Sequence, residues 1–127
     1  MSKAKRIGTA AESAVVKYFQ SLGVENVTRK VLNGRNDLGD IHIGAVDNPT
    51  LVIEVKSRSK NCSYAEIAGF MEELKTEITN TYGEFNPEKG YLILKIPGKG
   101  KVQDWMLYKF IDNEIWGCRV GDHNFKL

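Results

Sequence analysis

The sequence predicts an α/β (α+β) fold in which helices flank a mixed central sheet. Two segments, at about residues 9–22 and 64–80, repeat their apolar residues at the spacing of a helix. Apolar segments at 40–43, 51–56 and 91–96 are typical of buried strands. With 127 residues, 42% of them hydrophobic and 27% charged, the chain fits one globular domain over residues 1–127.

The first predicted helix covers about residues 9–22. Its apolar stripe contains Ala11, Val15, Phe19 and Leu22. Thr9 and Glu12 have the T-x-x-E spacing of a capping box, which would start the helix at Thr9, and Gly23 would end it. Glu12 also has an alternative role, in which the helix crosses the sheet and presents this carboxylate to a site there. The spacing by itself favours the cap.

The strands bracket the second predicted helix, 64–80. The six predicted strands are 27–32, 40–43, 51–56, 91–96, 105–111 and 114–120. Turn signals stand at Asn33-Gly34, at Asp47-Asn48-Pro49 and at Asp112-Asn113, the last within a C-terminal β-hairpin. The predicted order is therefore αβββαβ followed by two further strands.

Charge is distributed unevenly along the chain. The totals are 18 Lys and Arg against 16 Asp and Glu, a net charge of +2. Residues 1–35 contain seven basic and two acidic residues, so they carry +5 and the remainder carries −3. This asymmetry permits contact with phosphates without requiring it.

Several features indicate a reducing, cytoplasmic location, which would be the host cytoplasm for a phage-encoded protein. Cys62 and Cys118 form neither a metal-binding motif nor a disulfide framework. No apolar segment approaches the ~18 residues of a membrane span, and the N-terminus lacks the apolar region of a secretory signal. We therefore expect no membrane partner.

A possible metal site is indicated by Asp40 and the tripeptide Glu54-Val55-Lys56. Alternate residues of a strand point to opposite faces, so Glu54 and Lys56 share one face. If strands 40–43 and 51–56 pair, Asp40 meets Glu54 at one end of the sheet. A divalent cation relieves the repulsion between two such carboxylates, and oxygen ligands suit Mg²⁺ or Mn²⁺. The backbone carbonyl of Val55 is a candidate third ligand, and Lys56 would stabilise charge on a phosphoryl transition state.

Other interpretations of these residues stay open. The acid-x-Lys pattern is expected about 1.6 times by chance, and it occurs again as Glu73-Leu74-Lys75 inside the second helix, where residues two apart do not face each other. Glu54 and Lys56 would also suit a solvent-facing ion pair on a half-exposed strand. Asp37 competes with Asp40 for the same role.

Basic residues flank this constellation on three segments. They are Arg29, Lys30 and Arg35 before Asp40, Arg58 and Lys60 after Lys56, and Lys99 and Lys101 in a glycine-containing loop. Each alone is typical of a solvated surface, but together they are what a groove for a phosphate backbone requires. Trp116, if exposed, would suit a dimer interface.

These residues resemble the PD-(D/E)XK nuclease superfamily, and within it the small Holliday junction resolvases of archaea and phages. The resemblance covers residues 5–110 approximately and rests on Gly8-x-x-x-Glu12, Asn36-Asp37-Leu38-Gly39-Asp40-Ile41, Ile53-Glu54-Val55-Lys56-Ser57, Ala68-Gly69-Phe70-Met71-Glu72-Glu73, Tyr91-Leu92-Ile93-Leu94-Lys95 and the segment 98–105. It departs from the family pattern at Gly39, where a proline is usual, and at Glu73, where relatives often carry glutamine.

The resemblance implies a restriction-endonuclease-like core, αβββαβ, with the hairpin as an addition. It also implies that Asp40 and Glu54 bind Mg²⁺, that Lys56 is the catalytic lysine and that Glu12 is a helix-borne acid completing the site. The implied activity is a metal-dependent DNA endonuclease, a homodimer that resolves four-way junctions in recombination or phage DNA processing. The alternatives are a related nuclease acting on flaps, nicks or ends, and a catalytically inactive nucleic-acid-binding module of the same fold.

Overall fold

A computed structural model describes residues 3–30, 40–45 and 47–125 and has an α+β architecture. Within these residues, two long helices accompany one mixed sheet of six strands. The elements are α1 (Lys3–Ser21), β1 (Val27–Arg29), β2 (Ile41–Gly44), β3 (Pro49–Ser57), α2 (Tyr64–Tyr82), β4 (Gly90–Lys95), β5 (Met106–Ile111) and β6 (Glu114–Arg119). None of the helices in these ranges is long and apolar enough to cross a membrane.

The strands lie in the sheet in the order in which they occur along the chain. Neighbours are antiparallel except β3 and β4, which are parallel and are joined by the crossover helix α2. The predicted order of elements, including the final hairpin, is confirmed. The parallel pair brings the C-terminal ends of β3 and β4 to the same edge of the sheet, where β2 begins.

Each helix covers one face of the sheet. Helix α1 packs Ala11, Val15 and Phe19 on the face that carries Ile41, Ile43, Ile53, Val55 and Ile93. Helix α2 packs Phe70, Met71, Leu74 and Ile78 on the opposite face, against Val52, Leu92 and Leu94. Residues two apart on β3 and β4 therefore belong to the same face, as strand geometry requires.

The predicted start of the first helix is wrong. Helix α1 begins at Lys3, so Thr9 and Glu12 lie inside it rather than at its N-terminus. The segment that precedes Thr9 contains lysine, alanine and arginine, which propagate a helix well, and the T-x-x-E spacing does not detect this. A capping box does start α2, where Ser63 accepts a hydrogen bond from the N–H of Glu66 and the Glu66 carboxylate accepts one from the N–H of Ser63.

The other predicted boundaries agree with the structure to within about two residues, apart from β1. This strand ends at Arg29 rather than at residue 32, and residues 31–34, with the predicted turn, lie outside the described residues. The turn at Asp112 and Asn113 is confirmed, because both residues have positive φ (51° and 64°), the conformation of a two-residue type I′ hairpin turn.

Candidate active site

The start of β2 and the C-terminal ends of β3 and β4 border an open cleft of about 790 Å³. Ile41 pairs with Ile53, so the next positions along the two antiparallel strands are Asp40 and Glu54. The cleft is lined by Glu12, Asp40, Glu54, Val55, Lys56, Arg58, Lys95 and Gly98, among others. The structure therefore brings all four predicted catalytic side chains to one place.

Asp40 is held by the backbone of the neighbouring strand. Its Oδ2 accepts a hydrogen bond of 2.8 Å from the N–H of Val55, and its own carbonyl accepts one of 2.7 Å from the N–H of Lys30. Burial raises the pKa of Asp40 to about 7, and the nearby charge of Glu54 adds to this rise, which the Val55 hydrogen bond and Lys56 only partly oppose. The competing candidate, Asp37, lies outside the described residues.

Glu54 is a buried carboxylate. Only 4% of the residue is exposed, and its Oε2 is buried without a hydrogen-bond partner among the described residues. The interpretation of Glu54 and Lys56 as a solvent-facing pair is therefore wrong, although the two do form an ion pair with Oε1 3.4 Å from Nζ. A buried carboxylate oxygen without a donor is costly, and either a protonated Asp40, which shares a side-chain hydrogen bond with Glu54, or a bound cation would satisfy it.

Lys56 lies between two carboxylates on the α2 face of the sheet. Its Nζ is 2.6 Å from Oε2 of Glu73 and 3.4 Å from Oε1 of Glu54, and it stands 5.4 Å from the ring centroid of Phe70. Burial by itself lowers the pKa of the Lys56 ammonium, but Glu73 and Glu54 more than offset this, so the net shift is upward. Lys56 is therefore a fixed cation rather than a proton acceptor.

Glu12 reaches the cleft from helix α1. Its Oε1 is 3.4 Å from a terminal nitrogen of Arg29, and burial raises its pKa, with the charge of Asp40 contributing and Arg29 opposing. The favoured interpretation of Glu12 as a cap is wrong, because the residue is in mid-helix. Its position is that of a helix-borne acid beside the carboxylate pair.

The donors at this edge suit a small divalent cation. In the described ranges, no group of three or more His, Cys, Asp and Glu side chains is placed to hold a metal ion, so Glu12 does not add a third ligand here. Mg²⁺, however, is typically bound by one or two carboxylates, water and substrate phosphates. The N–H and C=O of a strand residue point to the same edge of the strand, so the carbonyl of Val55 faces the side of Asp40. Asp40, Glu54 and this carbonyl therefore fit Mg²⁺ or Mn²⁺.

The predicted nucleic-acid-binding residues are distributed unevenly around the cleft. Arg58 lines it, with its guanidinium 4.9 Å from the ring centroid of Phe70. Arg29 lies next to the cleft because it forms an ion pair with Glu12, which lines the cleft. The backbone N–H of Lys30 donates a hydrogen bond to the carbonyl of Asp40. The exposed Lys60, Lys99 and Lys101 are not among the residues that line the cleft. Arg35 lies outside the described residues.

Two charged residues of the site were not assigned a role from the sequence. Glu73 appeared there as part of a second acid-x-Lys tripeptide and as a departure from a family pattern, yet it makes the shorter of the two ion pairs of Lys56. Lys95 ends β4 and is the Cα partner of Ser57, one residue beyond Lys56. Glu73 follows Phe70 by three residues, which places it beside the buried stripe of α2, and this spacing was a signal for its position in the sequence. The position of Lys95 at the cleft depends on the register between the parallel strands β3 and β4, and no short sequence pattern predicts that register.

Comparison of the chain with family models, with curated proteins and with solved structures found no match.

Proposed function

We propose that this chain is a metal-dependent nuclease that hydrolyses phosphodiester bonds in DNA. The observation that supports this most is the buried pair Asp40 and Glu54, with an unsatisfied Glu54 oxygen, at an open sheet edge beside Lys56. A purely structural ion pair would not require a second carboxylate against the first, and it would not stand in an open cleft.

The residues divide the chemistry among them. Asp40, Glu54 and the Val55 carbonyl would hold Mg²⁺, which when bound polarises a phosphoryl oxygen and lowers the pKa of water. Lys56, fixed between Glu54 and Glu73, would stabilise the negative charge that develops on the phosphoryl group. Burial raises the pKa of Glu12, so this carboxyl takes up a proton more readily than an exposed glutamate, as a group that exchanges protons with the substrate or water requires.

We further propose that the fold is the restriction-endonuclease-like core and that the preferred substrate is a four-way DNA junction. Both rest on the resemblance to PD-(D/E)XK resolvases, and the αβββαβ order of α1 to β4 supports the first. The alternatives are a nuclease for flaps, nicks or ends, and a binding module without catalysis.

We also propose that the active form is a homodimer. A four-way junction presents two symmetric strands, and the Asp40–Glu54 pair occurs once among the described residues of a chain. Trp116 on the terminal strand β6 is 55% exposed, and Ile111 on β5 is exposed as well. Such exposed aromatic and aliphatic surface is typical of a subunit interface.

The test compares cleavage of a labelled four-way junction and of linear duplex in Mg²⁺ and in EDTA. Wild type should cut the junction in Mg²⁺ but not in EDTA. In Mg²⁺, the cleavage rates of Glu54→Gln and Lys56→Ala should be at least ~100-fold lower than that of wild type. Glu72→Gln is the matched control, because Glu72 is an exposed carboxylate of α2 that does not line the cleft.

The outcomes separate the candidates. Equal cleavage by wild type and both site variants would overturn the assignment of the site. Cleavage of duplex or flaps without junction preference would support the related-nuclease alternative. Salt-dependent binding of DNA without metal-dependent cleavage would support the third candidate, a binding module without catalysis.

A further inference from the structure

The charges around the cleft are paired unequally. Arg29 is paired with Glu12, and Lys56 is paired with both Glu54 and Glu73. Lys95 lines the same cleft, but among the described residues no carboxylate lies within ion-pair distance of it. The positive charge of Lys95 is thus available to a ligand, while that of Lys56 is neutralised by its neighbours.

Lys95 is on the opposite face of the sheet from Lys56. It is paired with Ser57 in the β3–β4 register, and the two residues share the α1 face with Val55 and Ile93. Its ammonium is 5.7 Å from the ring centroid of Trp105. The two lysines therefore flank the edge of the sheet where Asp40 and Glu54 meet, one from each side.

The aromatic ring beneath Lys95 is buried and hydrogen-bonded. Trp105 is only 2% exposed, and its indole N–H donates a hydrogen bond of 2.8 Å to the carbonyl of Lys99. This bond anchors the loop that contains Pro97 and Gly98, both of which border the cleft. A cation over an aromatic ring is attracted by the negative face of the ring. The contact restrains Lys95 without cancelling its charge.

We propose that Lys95 binds a backbone phosphate adjacent to the one at the Asp40–Glu54 pair, and so fixes the register of the DNA strand across the sheet edge. This inference rests on the proposed nuclease function. Gly98 has positive φ, and a Cβ built on it would meet no heavy atom within 4 Å, so the loop leaves open space beside Lys95 for a phosphate backbone. Lys56 remains with its carboxylates, and Arg58 carries positive charge on the far side of the cleft, over Phe70.

Lys89 provides a closely matched control. Its ammonium stands 5.7 Å from the ring centroid of Tyr82, the same separation as for Lys95 and Trp105. Lys89 immediately precedes β4 and Lys95 ends it, so the two lysines lie at opposite edges of the sheet. A loss that comes only from removing a lysine–aromatic contact should appear in both variants.

The experiment measures binding of a fluorescently labelled duplex by anisotropy in EDTA, over a salt series from about 50 to 200 mM. Lys95→Gln should weaken binding about fivefold or more and reduce the slope of log K against log salt by ~0.9, the value for one lost phosphate contact. Lys89→Gln should bind like wild type, and Lys95→Arg, which restores the charge, should recover the slope. Thermal unfolding of each variant verifies that it is folded.

The possible results discriminate between the two proposals. If Lys95→Gln binds like Lys89→Gln with an unchanged slope while wild type cleaves DNA, the role of Lys95 is overturned and the nuclease stands. If Lys95→Gln shows the predicted loss but wild type cleaves nothing in Mg²⁺ or Mn²⁺, the nuclease is overturned and the phosphate contact stands. If wild type neither binds DNA in EDTA nor cleaves it in Mg²⁺ or Mn²⁺, both are overturned, and if it cleaves DNA without measurable binding in EDTA, the role of Lys95 alone is overturned.

Discussion

Replacing Asp40 with asparagine should stabilise the folded protein at alkaline pH. Burial and the charge of Glu54 raise the pKa of Asp40 from 3.8 to about 7, so the folded state binds this proton more tightly than the unfolded state. Stability must then fall as the pH rises from about 4 to about 7. At 1.36 kcal/mol for each tenfold change in an ionisation constant, the full loss is on the order of 4 kcal/mol.

Asparagine removes the charge but retains an oxygen that can accept the hydrogen bond from the Val55 N–H. We therefore expect Asp40→Asn to match wild type at pH 4, where the Asp40 carboxyl is protonated, and to exceed it by up to about 4 kcal/mol at pH 8. With a urea m-value of about 2 kcal/mol/M, that difference raises the unfolding midpoint by about 2 M.

The assay is urea unfolding in EDTA at pH 4, 5, 6, 7 and 8, with the difference in free energy of unfolding between variant and wild type taken at each pH. Asp47→Asn is the control, because Asp47 is exposed in the turn before β3. A difference between Asp40→Asn and wild type that does not change with pH would refute the reasoning. In Mg²⁺ the difference in free energy of unfolding between Asp40→Asn and wild type should become smaller. Only wild type retains both carboxylates, so the bound ion stabilises wild type more than the variant.

Three further predictions concern other parts of the molecule. Ser63→Ala should lower the free energy of unfolding by about 1 kcal/mol in chemical denaturation, because α2 loses the side-chain acceptor at its N-terminus; no change would contradict the cap. Glu73→Gln should change the free energy of unfolding by less than about 1 kcal/mol, since the side chain is 49% exposed. It should slow junction cleavage ~10-fold or more, because Lys56 loses the shorter of its two carboxylate contacts. An unchanged rate constant would contradict this role. Trp116→Ser should convert a dimer to a monomer in sedimentation velocity, and a monomeric wild type would overturn the proposed dimer.

Local patterns were sufficient where neighbouring residues alone control the conformation. The hairpin turn at Asp112-Asn113 followed from two residues that tolerate positive φ. The polarity of β3 followed from strand alternation, which separates Glu54 from Val55. Local patterns failed at the start of α1, because a cap-like T-x-x-E sequence does not show whether the preceding residues are already helical.

Burial also could not be obtained from the alternation of β3. Charged residues at Glu54 and Lys56 are compatible with an exposed strand, and it is the helix α2 on this face that makes Glu54 inaccessible. The position of α2 also places Oε2 of Glu73 2.6 Å from Nζ of Lys56. Both facts depend on how a helix far along the chain packs, and apolar periodicity specifies which face is buried but not which polar residues it brings together.

The sequence by itself determined the order and type of the elements and the alternation that puts Glu54 and Lys56 on one face of a strand, because these depend on residues close together in the chain. Only the tertiary structure decided which charges are neutralised and which remain available. The packing of α2 pairs Lys56 with Glu73, and the parallel register of β3 and β4 places Lys95 at the cleft, over Trp105. Those pairings require segments distant in sequence to meet, and Coulomb energies vary too steeply with distance and burial to be assigned before they do.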